Sequence, residues 1–260
     1  LNVPAVRLLQ KYGLEKFYKR LKYLNFKSIN KGADHYGLTL ILGGAECNLW
    51  ELCNAYYTLS KKASNSELNK IRLIKDQKKS TFKYPYISSE AAYMTAEMIT
   101  ETKRPTDEGA WKIFSSARKV AWKTGTSYGH RDAWSLGITP EFVVGIWVGN
   151  ADGEGRPGLT GLKKAAPIMF DVFRLLPKSS WFTTPKNLIP IKVCKKSGCL
   201  PNPYCNQTTT IMAPSMGIHH KTCSFHTLVQ LDSTEKFQIN SNCYPIHKSI
   251  KKSWFTLPPL

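Results

Sequence analysis

The sequence predicts an α+β chain. Three observations carry this: apolar residues at helical spacing through the first hundred positions, apolar strand-like runs on either side of a Lys-Thr-Gly triplet at 123–125, and a cysteine-crowded tail with short β-type runs. At 260 residues and 42% hydrophobic, the chain is long enough to bury a substantial core. No run of about 18 apolar residues marks a membrane span.

The elements follow in order. The chain enters on a helix, with Pro4 suited to its first turn and Gly13 to its end. Leu1-Asn2-Val3-Pro4 lacks both a Met and the basic-then-apolar order of a secretory signal, so the chain is expected to begin at the cut end of a longer protein. Leu14, Phe17, Leu21 and Leu24 fall at helical spacing and predict an amphipathic helix over 14–24. Gly43-Gly44 permits a tight turn ahead of Asn48-Leu-Trp-Glu51, which has the form of a capping box. The helix it opens continues through Leu49, Leu52, Tyr56 and Leu59. Residues 61–85 are polar and Lys-rich and read as a connector, after which Ser88 caps a third helix running to Glu101 and ended by Arg104-Pro105.

Val120-Ala121-Trp122 reads as a strand, and the run Phe142–Gly149, after the turn Thr139-Pro140, as its buried partner. A glycine-rich loop at 152–158 leads into a helical pattern that reaches Leu176 and stops at Pro177. A break at Thr183-Thr184-Pro185 divides the chain into residues 1–182 and a Cys-rich extension, 183–260, with β-type runs at Ile189–Val193 and Trp254–Leu257.

Charge and cysteines bound the setting. The formal charge of +19 is spread over both halves with no nucleic-acid motif, so nucleic acid is not expected as a partner; a basic face also suits anionic headgroups or an acidic wall polymer. Cys47 and Cys53 lie in an apolar helical region and read as small buried hydrophobes. Cys194, Cys199, Cys205, Cys223 and Cys243 crowd the tail, where a thin core calls for covalent staples, and predict disulfides in an oxidising compartment. Zinc is the competing reading, from the spacings Cys223-Ser-Phe-His226 and Cys243-Tyr-Pro-Ile-His247. The tail has no paired C-x-x-C knuckle, so the preferred reading assigns neither metal ligand nor cofactor, although five cysteines leave one unpaired.

The triplet carries the chemistry. Lys123 offers a compact cation, Thr124 and Thr126 offer hydroxyls, and Gly125 removes the side chain where a substrate backbone would lie along the strand. An extended acyl donor could add there as a further strand, with the N–H of Thr126 forming half of an oxyanion hole. Lys-Thr-Gly is also the third element of the S-x-x-K, S-D-N, K-T-G set of serine acyl-transfer enzymes.

With that triplet, Val120-Ala-Trp-Lys-Thr-Gly-Thr-Ser-Tyr-Gly129, Arg131-Asp-Ala-Trp134, Val144-Gly-Ile-Trp-Val-Gly-Asn150 and Tyr36–Glu46 resemble the transpeptidase domain of class A penicillin-binding proteins, the 1C branch in particular. Asn2-Val-Pro-Ala-Val6 is similar to the helix following that family's S-x-N motif. The resemblance covers residues 1–182, and the tail is similar in outline to the extension of that branch. It implies the serine β-lactamase-like fold, an antiparallel sheet flanked by helices and here N-terminally truncated. The activity implied is cross-linking of peptidoglycan stem peptides through a serine acyl-enzyme, with stem peptides and β-lactams as ligands.

By the same resemblance Lys123 and Thr126 recognise the substrate carboxylate, Thr126 also lends its N–H to the oxyanion hole, Thr124, Gly125 and Ser127 complete the cradle, and Asn2 contacts the substrate amide. The resemblance further implies a periplasmic location, an anchor and the nucleophilic serine upstream of Leu1, and cell-wall synthesis proteins as partners. The five S-x-x-K strings, starting at Ser28, Ser80, Ser116, Ser233 and Ser249, are out of the family's order, so the chain alone is expected to be inactive. The alternatives are a non-catalytic peptidoglycan-binding or scaffold module, and a D,D-carboxypeptidase or β-lactamase relative.

Overall fold

The computed structural model describes residues 2–69, 81–102, 104, 118–215, 221–242 and 244–257. The chain divides into two compact units, Leu1–Pro185 and Lys186–Leu260.

The first unit opens on helices α1 (Asn2–Tyr12) and α2 (Leu14–Tyr23), separated by Gly13 at φ 99°. Leu14, Phe17 and Leu21 of α2 pack on Phe26, Ile29, Tyr36 and Leu40, as the spacing predicts. A short helix α3 (Ala33–Tyr36) and a 3-10 turn, Gly37–Leu42, follow; both are too short to show a period in sequence. Helix α4 (Leu49–Ala63) begins at the predicted capping box, in which Asn48 accepts from the Glu51 N–H at 2.9 Å and the Glu51 carboxylate accepts from the Asn48 N–H at 3.4 Å.

Glu51 does more than cap. Only 5% exposed, its carboxylate also accepts the N–H groups of Lys27 at 2.7 Å and Ser28 at 2.9 Å, pinning the 26–29 loop to α4. Burial alone would raise its pKa, but these backbone donors hold it below the usual carboxylate value.

The predicted connector contains the end of α4 and a two-residue antiparallel pair, β1 (Leu68–Asn69) with β2 (Thr81–Phe82); its centre lies outside the described residues. Helix α5 (Ser89–Thr100) starts at Ser88, whose hydroxyl accepts from the Ala91 N–H at 3.2 Å.

The sheet has three antiparallel strands in the order β3 (Ala121–Thr126), β4 (Asp132–Ile138) and β5 (Val143–Gly149). The sequence pairs the Val120 run with the Phe142 run; the structure corrects this by placing β4 between them, with Thr124 opposite Ser135 and Ser135 opposite Ile146. β4 hides from a periodicity reading because both its faces are covered, so that Ala133, Ser135, Leu136 and Ile138 are all buried and no apolar-polar alternation appears.

Two glycines show where helices press on the sheet. A Cβ on Gly137 would meet Phe173 at 2.7 Å and Met169 at 2.8 Å, both on α6 (Ala166–Leu175). On the other face a Cβ on Gly145 would meet Cys53 at 2.5 Å and Leu49 at 2.9 Å, both on α4. Val120, Trp122, Val144, Ala166, Met169 and Phe173 form the core on the α6 side, entered through a π-helical turn at Gly161–Ala165. Burying side chains of this size contributes about 1.5–3 kcal/mol each. The fold is thus α+β, helices on both faces of an antiparallel sheet.

The second unit consists of two antiparallel pairs, β6 (Leu188–Cys194) with β7 (Thr208–Pro214) and β8 (His226–Leu231) with β9 (Ile250–Phe255). Among its described residues the apolar cluster is small: Ile191, Val193 and Ala213, with Ile189 packed against them. Where the sequence predicts disulfide staples, Cys194, Cys199, Cys205 and Cys223 are free thiols in the structure. Cys243 lies outside the described residues. Cys47 and Cys53 are half-buried free thiols, as expected of small hydrophobes, and burial raises the Cys47 thiol to about 11.

Candidate active site

Among the described residues β3 is an edge strand, and its hydrogen-bonding phase is fixed at its end, where the Ser127 N–H donates to the Asp132 carbonyl at 3.0 Å. In an antiparallel ladder the bonded pairs alternate, so Gly125 bonds Trp134 and Lys123 bonds Leu136. The N–H and C=O groups of Trp122, Thr124 and Thr126 consequently turn away from β4, toward the open edge. Two contacts agree with that phase. The Thr124 carbonyl accepts from Lys123 Nζ at 2.6 Å, and the Trp122 carbonyl accepts from Thr102 Oγ1 at 3.5 Å.

Side chains alternate as well. Trp122, Thr124 and Thr126 share the α6 face, while Lys123 and Gly125 share the α4 face. The two residues expected to grip one carboxylate, Lys123 and Thr126, therefore rise from opposite faces of the strand. Lys123 is exposed, and its ammonium curls back to the edge carbonyl of Thr124. Thr126 Oγ1 accepts the Gly161 N–H at 3.0 Å. Gly161 itself lies so close over the carbonyls of Gly125 and Trp134 that a side chain there has no room.

Gly125 is the opposite case. It has no left-handed backbone, and a Cβ on it would meet only Trp134, at an ordinary 3.5 Å. Among the described residues nothing within the fold demands glycine there.

Ser127 commits its hydroxyl to the Asp132 N–H at 2.8 Å and so closes the β3–β4 turn. Asn2 is exposed at the first turn of α1, which packs on α2 and the 37–42 turn, and no described hydrogen bond ties it to β3. The structure thus brings Lys123, Thr124, Gly125 and Thr126 to one edge, gives Ser127 a turn-closing bond and leaves Asn2 on a separate element.

Sequence reasoning missed three supports of this edge. Gly161 holds Thr126, and its only signal is its place just after the glycine-rich loop. Trp134 and Trp147, with ring centroids 6.2 Å apart, continue the row that starts at Gly125, and Trp147 Nε1 donates to Asp132 at 2.8 Å. Glu97 on α5 anchors the lead-in to β3 by accepting from Lys119 Nζ at 2.8 Å and from Trp181. Burial opposes its ionisation, but Lys119, Trp181 and Tyr93 hold its pKa below the usual range.

Among the described S-x-x-K serines, Ser28 lies in an irregular segment and Ser233 and Ser249 lie in the second unit; Ser80 and Ser116 fall outside the described residues. No helix of the described residues is long and apolar enough to cross a membrane.

No family model matches the chain. It is similar to penicillin-binding protein 1C of Escherichia coli K12, 32% identical over 201 residues that make up 77% of this chain and 25% of that protein. Penicillin-binding protein 4 of Bacillus subtilis is 27% identical over 155 residues, 57% of this chain and 24% of that protein. The chain therefore spans about a quarter of the length of these relatives. The crystal structure of penicillin-binding protein 1A from Haemophilus influenzae matches with a TM-score of 0.61 at 19% identity, over 82% of this chain and 38% of that one, which carries the fold alone. Sequence similarity along the helical and sheet regions, together with a shared fold, has one reading: the chain belongs to the class A penicillin-binding proteins.

Proposed function

We propose that residues 1–185 form the substrate-holding wall of a peptidoglycan D,D-transpeptidase, in which β3 receives the D-alanyl-D-alanine end of a stem peptide as an added strand. The observation that carries this reading is the open β3 edge, where the Thr124 and Thr126 backbone groups face outward between a lysine ammonium and a threonine hydroxyl. A peptide laid along such an edge gains main-chain hydrogen bonds, and its terminal carboxylate meets a cation. In this reading the Thr126 N–H, which faces away from β4, stabilises the oxyanion that forms when a serine attacks the penultimate carbonyl. Gly125 leaves the edge unobstructed.

In this reading the attacking serine is none of the three described S-x-x-K serines, and Asn2 reaches the substrate amide in the assembled site. The ligands are stem peptides and β-lactams, which share the carboxylate and the acylating carbonyl. The protein works at the periplasmic face of the inner membrane, held by an anchor, alongside cell-wall synthesis proteins.

The test is covalent labelling of the full-length gene product with a fluorescent penicillin. Labelling that survives denaturation and is competed by unlabelled β-lactam is expected. A folded full-length protein that never acylates would leave β3 as a non-catalytic peptidoglycan-binding edge and end the enzyme reading.

A further inference from the structure

In the second unit, four ligand-type atoms converge: Sγ of Cys194, Cys205 and Cys223, and a ring nitrogen of His226, all within 4.8 Å of one another. His226 Nδ1 lies 3.5 Å from the Cys194 sulfur and 3.4 Å from each of the other two. These cannot be three hydrogen bonds. An imidazole nitrogen has a single in-plane position, holding either one proton or one lone pair. Nor do three sulfurs pair off into disulfides.

The distances are those of ligands around a common centre. Zn–S bonds of about 2.3 Å and a Zn–N bond of about 2.0–2.1 Å in a tetrahedron place sulfur and nitrogen about 3.5 Å apart. We propose that residues 186–260 hold a structural zinc ion bound by Cys194, Cys205, Cys223 and Nδ1 of His226.

The surroundings are built for such a site. Cys194 is fully buried, Cys223 and His226 are 3% and 5% exposed, and Cys205 is half-buried, so the four protein ligands leave little room for solvent, as suits a structural zinc. Each ligand sits at a defined place in the fold: Cys194 ends β6, Cys205 lies in the β6–β7 connection, Cys223 precedes β8 and His226 starts it.

Asn202 ties these segments together. Its side-chain amide donates to the carbonyls of Cys223 at 2.7 Å and His226 at 2.8 Å, and its backbone N–H donates to the Cys205 sulfur at 3.4 Å. Ser197 Oγ donates to the Cys223 sulfur at 3.2 Å. Donors aimed at sulfur stabilise thiolate, the form that binds metal. The unit also needs the ion, because an apolar centre of a few residues is too little for a small unit to rest on. Three thiolates with one imidazole suit zinc over the hard cations, which take oxygen ligands.

The experiment measures metal in the whole protein purified under reducing conditions without added metal. Elemental analysis is expected to find zinc near one ion per chain, and X-ray absorption three sulfurs and one nitrogen around it. Cys205→Ser should lose the metal, and Cys199→Ser, at a thiol outside the cluster, should keep it. Asn202→Ala should weaken zinc binding by about 10–100-fold, the usual cost of removing a supporting hydrogen bond. His226→Cys should retain zinc with four sulfurs, which guards against a Cys205 variant that merely misfolds.

A protein that comes without zinc and takes none up on titration overturns the proposal. So does stoichiometric iron in its place, or a disulfide joining any two of Cys194, Cys205 and Cys223 in freshly isolated protein. None of these outcomes depends on whether β3 binds penicillin.

Discussion

Lys123 and Gly125 make separable contributions at the edge of β3. Removing the ammonium with Lys123→Ala is expected to slow penicillin acylation of the full-length protein by about 10²-fold or more, the scale of losing one preorganised electrostatic contact, while leaving the melting temperature nearly unchanged because the side chain is exposed. Gly125→Ala should fold normally, since the added methyl meets only Trp134 at 3.5 Å, and yet impair acylation by blocking the approach of a substrate backbone. Acylation rates and thermal melts of the two variants separate these effects; normal acylation in Gly125→Ala would remove the strand-addition model. At this scale the sequence was partly legible. The Lys-Thr-Gly triplet and the strand that carries it stand out in the sequence, whereas the Ser127 bond to Asp132 and the Gly161 bond to Thr126 depend on residues brought together by the β3–β4 turn and by a loop 35 positions away.

Most of the helices of the first hundred residues were legible because their boundaries carry a local device: Asn48 with Glu51 for α4, Ser88 for α5, Gly13 between α1 and α2. Asn48→Ala should cost about 1 kcal/mol, the usual price of an N-cap, in denaturant unfolding. β4 was not legible as the central strand, since its pattern reflects burial on two faces and only the tertiary fold supplies the second. The same close packing predicts that Gly137→Ala destabilises by about 1–3 kcal/mol through overpacking against Phe173 and Met169. Gly137 and Gly125 therefore make a matched pair, both inside strands of one sheet and opposite in tolerance to a methyl group. Denaturant midpoints compare them directly.

Across the whole molecule, acid and chelation should act on different parts. Glu51 and Glu97 both have folded pKa values held below their ordinary value of 4.5, so they favour the folded state at neutral pH. Their contribution is fully present above that value and fades as pH falls through the lower folded-state values. Thermal melts should show this acid sensitivity in the first unit, and Glu51→Gln should flatten it. A strong zinc chelator is expected to expose residues 186–260 to proteolysis while residues 1–185 stay resistant, with mass spectrometry of the cleavage products as the readout. The Cys223–His226 spacing was visible in the sequence, but its partners were not, because Cys194 ends β6 and Cys205 lies in the β6–β7 connection, both distant in sequence from the start of β8. The bond from the Gly161 N–H to Thr126 Oγ1 has a directional consequence. A hydroxyl that already accepts from the backbone keeps its hydrogen free to give, so the threonine faces the edge as a donor. In the proposed reading that donor and the Lys123 ammonium, on the strand's opposite face, give the edge hydrogens and positive charge, which would favour an anionic chain end over an amidated one.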